Sequence, residues 1–359
     1  MTGAYFYGKM KKMNQENIMG FSFSEQKSLI YDHLKIITIL LVIAGHCFVM
    51  YSPDGAIEVV KGFLPFKLAT LLVYRFHVPC FFMVSGAIFA LCLRKNIYSS
   101  GMEFLKKKAY RLLIPYLVFG ILVVPPVLLI CGLADPAKWY LFGLNLITAS
   151  NVRHLWYLYA LFLIFMLIWL CRRFFVKEQM KKVLLVSFVV SLIFRSFSPA
   201  ALALFQIANV FYYQFFFVCG IFLDLYFDEI FSLLQAKKKF LWLILAVLLC
   251  SMFADFWTLS GYVYALCGMI LSLWAALWLT GKKSLIQKKW YQMLGRDSYG
   301  IYLIHAMIVY LIFFAFSEIA IPGWILMPLA FVVSLVVSVC VAELLRKCGL
   351  GIVLGEKRR

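Results

Sequence analysis

Lys35 and His46 stand eleven residues apart in an otherwise almost wholly apolar run, Leu34-Lys35-Ile36-Ile37-Thr38-Ile39-Leu40-Leu41-Val42-Ile43-Ala44-Gly45-His46-Cys47. In a helix that interval is about three turns, or about 16 Å along one face, so the cation and the imidazole line one groove at two depths. Ionisable groups inside a membrane span are costly and usually face a protein interior or a water-filled cavity. The stripe reads as the wall of a reaction chamber. His77 lies halfway along the next apolar segment, in Tyr74-Arg75-Phe76-His77-Val78-Pro79-Cys80-Phe81-Phe82-Met83-Val84-Ser85-Gly86. That helix runs opposite to the first, which lets His77 and His46 reach similar depths. Pro79 removes a backbone donor and kinks the helix, leaving Ser85-Gly86 beside a cavity or a close helix contact. A packing kink with a hydrogen-bonded histidine accounts for the same residues, although Arg75 sits awkwardly in it.

Three further clusters carry chemistry. Lys106-Lys107-Lys108-Ala109-Tyr110-Arg111 precedes Pro115 at the start of the third apolar segment. Lys108 and Arg111 can hold phosphate groups by charge and by the forked guanidinium, or anionic lipid headgroups by the same means. Arg111, pointing into the bundle, is the better ligand. His154 opens the fourth segment among Trp156, Tyr157 and Tyr159, so it either faces an acceptor arriving from outside or belongs to an interfacial aromatic belt. His305 follows Tyr302 by three residues in Arg296-Asp297-Ser298-Tyr299-Gly300-Ile301-Tyr302-Leu303-Ile304-His305. A second catalytic histidine and a structural hydrogen bond both fit it. Asp297 or Ser298 is placed to cap that helix, and Asn209, Tyr212, Tyr213 and Gln214 give the sixth segment a polar face for the interior.

The elements that must position these residues are membrane helices. Of 359 residues 64% are hydrophobic and 14% charged, and mean hydropathy is +0.92, beyond what a soluble surface tolerates. At roughly 20 apolar residues per span, segments near 34–52, 68–92, 112–133, 154–171, 183–198, 200–226, 240–257, 259–280, 298–316 and 323–345 predict an all-α integral membrane protein, a bundle of about ten transmembrane helices. The formal charge of +19 is arranged by loop. Lys9, Lys11 and Lys12, then Arg94 to Arg111, Arg172 to Lys182, Lys237 to Lys239, Lys282 to Arg296, and Arg346 to Arg359 make alternate connections basic. The loops between carry Asp54, Glu58, Asp135, Asp255 and Glu318. By the positive-inside rule both termini are cytoplasmic, which requires an even number of spans. The charge is thus a topology signal and implies no nucleic acid. Residues 1–30 read as a cytosolic tail without signal-peptide features, 31–346 as one membrane domain and 347–359 as a basic cytosolic tail. Ten scattered cysteines without a C-x-x-C pair imply neither disulfides nor a metal centre.

Taken together, the motifs resemble the membrane acyltransferase-3 family, over nearly the whole chain. Asp32-His33-Leu34-Lys35 followed by Gly45-His46 matches its hallmark, commonly Asp-x-x-Arg then Gly-His, with lysine in place of arginine. Phe76-His77-Val78-Pro79-Cys80-Phe81-Phe82 with Ser85-Gly86, Lys108, Arg111 and Pro115, His154-Leu155-Trp156-Tyr157, and Ser298 to His305 carry the rest. The chain is similar to the short form without an extracellular esterase-like domain, as in the branch that acetylates enterobacterial common antigen. The resemblance implies a multi-pass protein of a bacterial plasma membrane that moves an acetyl or other short acyl group from cytosolic acyl-CoA to a sugar hydroxyl of an envelope or exported glycan. It implies Lys35, Arg111 and Lys108 at coenzyme A phosphates and His46 at the thioester, with His77 and His305 as further catalytic candidates. Arg75, Ser85, His154 and Tyr302 become candidates for the oxyanion or substrate. No carboxylate partner for His46 is visible on its own helix face. The competing reading is a transporter or exporter of a polysaccharide or lipid-linked precursor, since polar stripes also line transport paths.

Overall fold

The structure is a computed structural model that describes residues 23–52, 55–57, 63–196, 200–237, 239–251, 258–319 and 321–356. The expected tail up to residue 22, Asp54, Glu58, Pro199, Lys238, Asp255 and Lys357 to Arg359 lie outside the described residues. The described residues are helical, with short connections. α1 (Phe23–Val49) carries Lys35 and His46 on one unbroken helix. It begins eight residues before the boundary expected at Tyr31 because Lys27 is buried against another helix rather than solvated in a tail.

The second span is two helices, α2 (Leu64–Tyr74) and α3 (His77–Arg94), separated at Arg75–Phe76. The third begins with α4 (Gly101–Lys108), passes through a π-helical turn at Ala109–Leu113 and continues as α5 (Ile114–Leu122) and α6 (Val124–Ile130). α7 (Tyr140–Thr148), α8 (Trp156–Leu170) and α9 (Lys177–Ser196) follow. The remainder is α10 (Ile207–Leu225), α11 (Phe227–Ala236), α12 (Phe240–Cys250), α13 (Thr258–Thr280), α14 (Lys289–Ala315) and α15 (Gly323–Lys347). Among the described residues, eight stretches are long and apolar enough to cross a bilayer. The other two expected segments are present as α9, whose first turns carry Lys177, Glu178, Lys181 and Lys182, and as the 11-residue α12.

α1 is central, packed on α2, α3, α13, α14 and α15. The tightest crossing is α3 on α10. A methyl group added at Gly86 would lie 1.9 Å from the Phe217 carbonyl oxygen, and one at Gly220 would lie 1.9 Å from that of Met83. Only hydrogen fits at either position, so this glycine pair sets how closely the half-span bearing His77 and Ser85 approaches α10.

Alternate connections place the basic loops at one end of the bundle, where two buried carboxylates tie helices together. Asp224 is 1% exposed and receives Lys27 at 2.9 Å, Arg94 at 2.9 Å and the Tyr31 hydroxyl at 2.8 Å. Asp297 is fully buried and pairs with Arg296 and Arg346, each at 2.8 Å. Such partners are needed because a lone buried carboxylate is strongly unfavourable. Asp297 and Ser298 are not helix caps. α14 starts at Lys289, which puts both two turns inside it.

Candidate functional site

Four of the five histidines of this chain gather in the middle of the bundle. The His46 and His305 rings have centroids 5.0 Å apart, His154 and His305 5.7 Å, and His46 and His154 6.5 Å, all edge to face. His46, His77 and His154 line one cavity of about 510 Å³. His305 is fully buried and stands behind His46, outside that lining.

Backbone carbonyls fix three of the rings. The break at Arg75–Phe76 leaves the Val73 carbonyl within 2.9 Å of His77 Nδ1. A carbonyl only accepts, so Nδ1 carries the proton and the neutral ring keeps its lone pair on Nε2. His305 Nδ1 faces the carbonyls of Ile301 at 3.0 Å and Tyr302 at 2.8 Å, with the same consequence. Its Nε2 is buried without a hydrogen-bond partner. His154 is the reverse: Nε2–H donates to the Leu303 carbonyl at 3.0 Å, and Nδ1 is the unpartnered nitrogen. The Tyr302 hydroxyl donates to the His154 carbonyl, so α14 grips the start of α8 from both sides.

A second cavity of about 180 Å³ opens toward the basic end and is lined by Lys35, Ser85, Lys108, Arg111, Ser298 and Tyr299 among others. Pro115 has no N–H to give the Arg111 carbonyl, the partner it would serve in a regular helix. That carbonyl accepts instead from the Tyr299 hydroxyl at 2.6 Å, and the Tyr299 ring lies 4.1 Å from the Arg111 guanidinium carbon. The π-helical turn is thus braced from α14. Arg111 Nη1 donates to the carbonyls of Leu354 at 3.1 Å and Gly355 at 3.4 Å. Lys35 pairs with Asp32 at 2.6 Å. Lys108 lies 3.7 Å above the Phe165 ring, and no carboxylate among the described residues pairs with it. An ammonium so placed fits an anionic ligand better than its two neighbours do.

The two cavities share Phe81 and Tyr157. The Tyr157 hydroxyl lies 3.0 Å from Ser85 Oγ and 3.4 Å from the Phe81 carbonyl. A hydroxyl pair therefore stands on the partition between the cations and the histidines.

The structure thus brings together Lys35, Lys108, Arg111 and Ser85 in one cavity and His46, His77, His154 and Tyr302 in the adjoining one. Arg75 belongs to neither. The helix break turns it toward α12 and α13, where it donates to the Ser251 carbonyl at 3.3 Å and lies 5.9 Å from the Tyr264 ring. It therefore stands apart from the residues that line the two cavities. Gln214 is buried away from both cavities, donating to the Ser187 carbonyl at 2.6 Å, whereas Asn209 and Tyr213 line the histidine cavity. Phe81, Tyr157, Arg153 and Gln206 were given no site role from the sequence, although Phe81 and Tyr157 stand in the motifs that carry the family resemblance.

A family model described as "Acyltransferase domain" matches residues 29–343. The chain belongs to the acyltransferase-3 family and is an integral membrane acyltransferase. Neither a curated protein nor a solved structure matches it.

Proposed function

We propose that this chain is an O-acetyltransferase whose donor is acetyl-CoA, or another short acyl-CoA, and whose acceptor is a sugar hydroxyl of an envelope or exported glycan. The observation that carries the reading is the pair of adjoining cavities, cationic on one side of Tyr157 and histidine-lined on the other. The basic end is taken as cytosolic in a bacterial plasma membrane. Lys108 is the principal phosphate contact there, with Lys35 and Arg111 beside it. The small cavity suits the pantetheine arm, and the nucleotide lies among the basic loops.

His46 then acts as general base. It takes the proton from the glycan hydroxyl as that oxygen attacks the thioester carbonyl, a role typically worth 10²- to 10⁴-fold. The tetrahedral oxyanion forms beside Tyr157; with Ser85 donating to the Tyr157 oxygen, the Tyr157 hydroxyl proton turns to the oxyanion from its long bond to the Phe81 carbonyl at 3.4 Å. Collapse expels the coenzyme A thiolate, and the proton on His46 passes to that sulfur. His305 supplies what α1 lacks. Its ring packs edge to face on His46, with centroids 5.0 Å apart, and fixes that ring's orientation in place of a carboxylate. His77 and His154 face the acceptor.

The test uses the purified full chain in detergent with acetyl-CoA and a panel of glycans, measuring released coenzyme A and the acetyl mass increment on the glycan. Acceptor-dependent release is the expected result. Absence of release across the panel, together with glycan movement in liposomes, would overturn the proposal in favour of transport.

A further inference from the structure

The histidine cavity has a neighbour. A third cavity of about 280 Å³ lies between α5, α6 and α7, at the end of the bundle away from the basic loops, and is lined by Asp135, Lys138 and Asn145 among apolar residues. It meets the histidine cavity along one short segment, Asn151-Val152-Arg153, which lines both.

That segment is held in an unusual conformation. Ala149, Asn151 and Arg153 have φ of 53°, 48° and 54°, in the left-handed region that non-glycine residues seldom adopt. Gln206, also left-handed at φ 59°, donates its side-chain amide to the Ala149 carbonyl at 2.5 Å and accepts from Asn209 at 2.6 Å. The result is to set the Arg153 guanidinium at the seam of the two cavities, beside the Tyr310 hydroxyl.

Charge then decides what the seam receives. Asp135 and Lys138 face each other at 3.5 Å and cancel. No carboxylate among the described residues pairs with Arg153, and its buried Nε has no hydrogen-bond partner. A guanidinium left in this state favours a carboxylate or phosphate oxygen above any neutral group. Around it Asn151, Gln206 and Asn209 offer amides for hydroxyls, and Trp156 and Tyr213 offer rings.

We infer that the acceptor is an acidic glycan of at least two units, bound across both cavities. The unit to be acylated lies among the histidines, the next lies beside Asn145, and Arg153 holds the oxyanion between them. This rests on the glycan-acceptor reading above. It adds that Arg153 sets specificity and that a second sugar subsite exists.

The experiment measures equilibrium binding and acetyl transfer with the full chain, using three disaccharides of one linkage: a neutral glucoside, its glucuronate counterpart and a phosphodiester-bearing analogue. The wild type is expected to bind one acidic form about tenfold or more tightly than the neutral one, the scale of a hydrogen bond to a charged group. The tighter of the two identifies carboxylate or phosphate as the group held. Arg153→Gln should bring the acidic-to-neutral ratio to about one, and Arg153→Lys should leave it intermediate. Asn145→Trp, which fills the side cavity, should weaken disaccharides and spare a glucuronate monosaccharide. Equal wild-type binding of acidic and neutral ligands, or a ratio unmoved by Arg153→Gln, overturns the inference while leaving glycan acylation standing. Absence of binding and transfer with every glycan overturns both.

Discussion

At the residue scale, the arrangement separates a base, a partner for it and a donor for the developing charge, each with its own kinetic signature. His46 is central, and His46→Ala should lower coenzyme A release by at least the 10²- to 10⁴-fold attributed to a general base while the protein still inserts and purifies as the wild type does. Normal turnover by a folded His46→Ala protein would remove it from the mechanism. Tyr157→Phe keeps the ring on the partition and removes only the hydroxyl. It should reduce kcat by about 10²-fold with little change in KM for acyl-CoA, and a matching rise in KM would assign Tyr157 to ground-state binding instead. His305 lines neither the cationic nor the histidine cavity, so its effect passes through His46. His305→Ala should lower kcat and alter the shape of the pH–rate profile, whereas a packing role alone would lower the yield of folded protein and leave that profile unchanged. Among the cations, Lys108→Gln should raise KM for acyl-CoA more than Lys35→Gln, because Lys35 is held by Asp32 and no carboxylate among the described residues pairs with Lys108.

Elements decide where these residues point, and this is where sequence and structure part company. The Lys35–His46 stripe was legible as two polar levels on one apolar helix, but the single groove expected for it is two cavities divided at Phe81 and Tyr157, a partition made by other helices. The similar depth of His77 and His46 followed from two antiparallel helices, but the gathering of His154 and His305 on them was not legible, since it depends on how separate helices cross. Pro79 announced an irregularity in the second span, and the break falls at Arg75–Phe76, where the proline's missing N–H and ring act on the residue four positions back; that Arg75 then reaches the Ser251 carbonyl was not visible in the chain. The pairing of Lys27 with Asp224, 197 positions apart, and the mutual fit of Gly86 and Gly220 leave no local trace in the chain. That glycine crossing is the joint that holds α3 against α10. Gly220→Ala would drive a methyl group into the Met83 carbonyl, and a destabilisation of about 1–3 kcal/mol is the expected scale for overpacking. Thermal unfolding in detergent measures it, and an unchanged midpoint would mean that the two helices separate without cost.

Across the whole molecule, the basic end is more than a topology signal, because the C-terminal segment folds back to brace the cationic cavity. Leu354 is fully buried, the Tyr110 hydroxyl donates to the Glu356 carbonyl at 3.0 Å, and Arg111 bonds to two carbonyls of the same turn. Gly355, at φ +64°, lies so close that a methyl group there would sit 2.5 Å from the Arg111 carbonyl oxygen. The segment expected as a loose tail from residue 347 is therefore packed as far as Glu356. Its closing contact is a two-pronged ion pair, in which Arg346 Nε and Nη2 each reach a Glu356 carboxylate oxygen at 2.9 Å. That pairing with Arg346 holds the Glu356 carboxyl below its ordinary value. A depressed carboxylate contributes stability that is present above its unfolded value of about 4.3 and is lost as pH falls through its lower folded value. The unfolding midpoint of Glu356→Gln should consequently lie below that of the wild type near neutral pH, with the gap closing as the medium is acidified past about pH 4. If the brace matters for the donor, the same substitution should also raise KM for acyl-CoA at neutral pH, because Arg111 loses the turn that fixes it. A constant difference in midpoint from neutral to acid would show that the Arg346–Glu356 pair is not what closes the segment, and an unchanged KM would free the donor site from its dependence on the C-terminal turn.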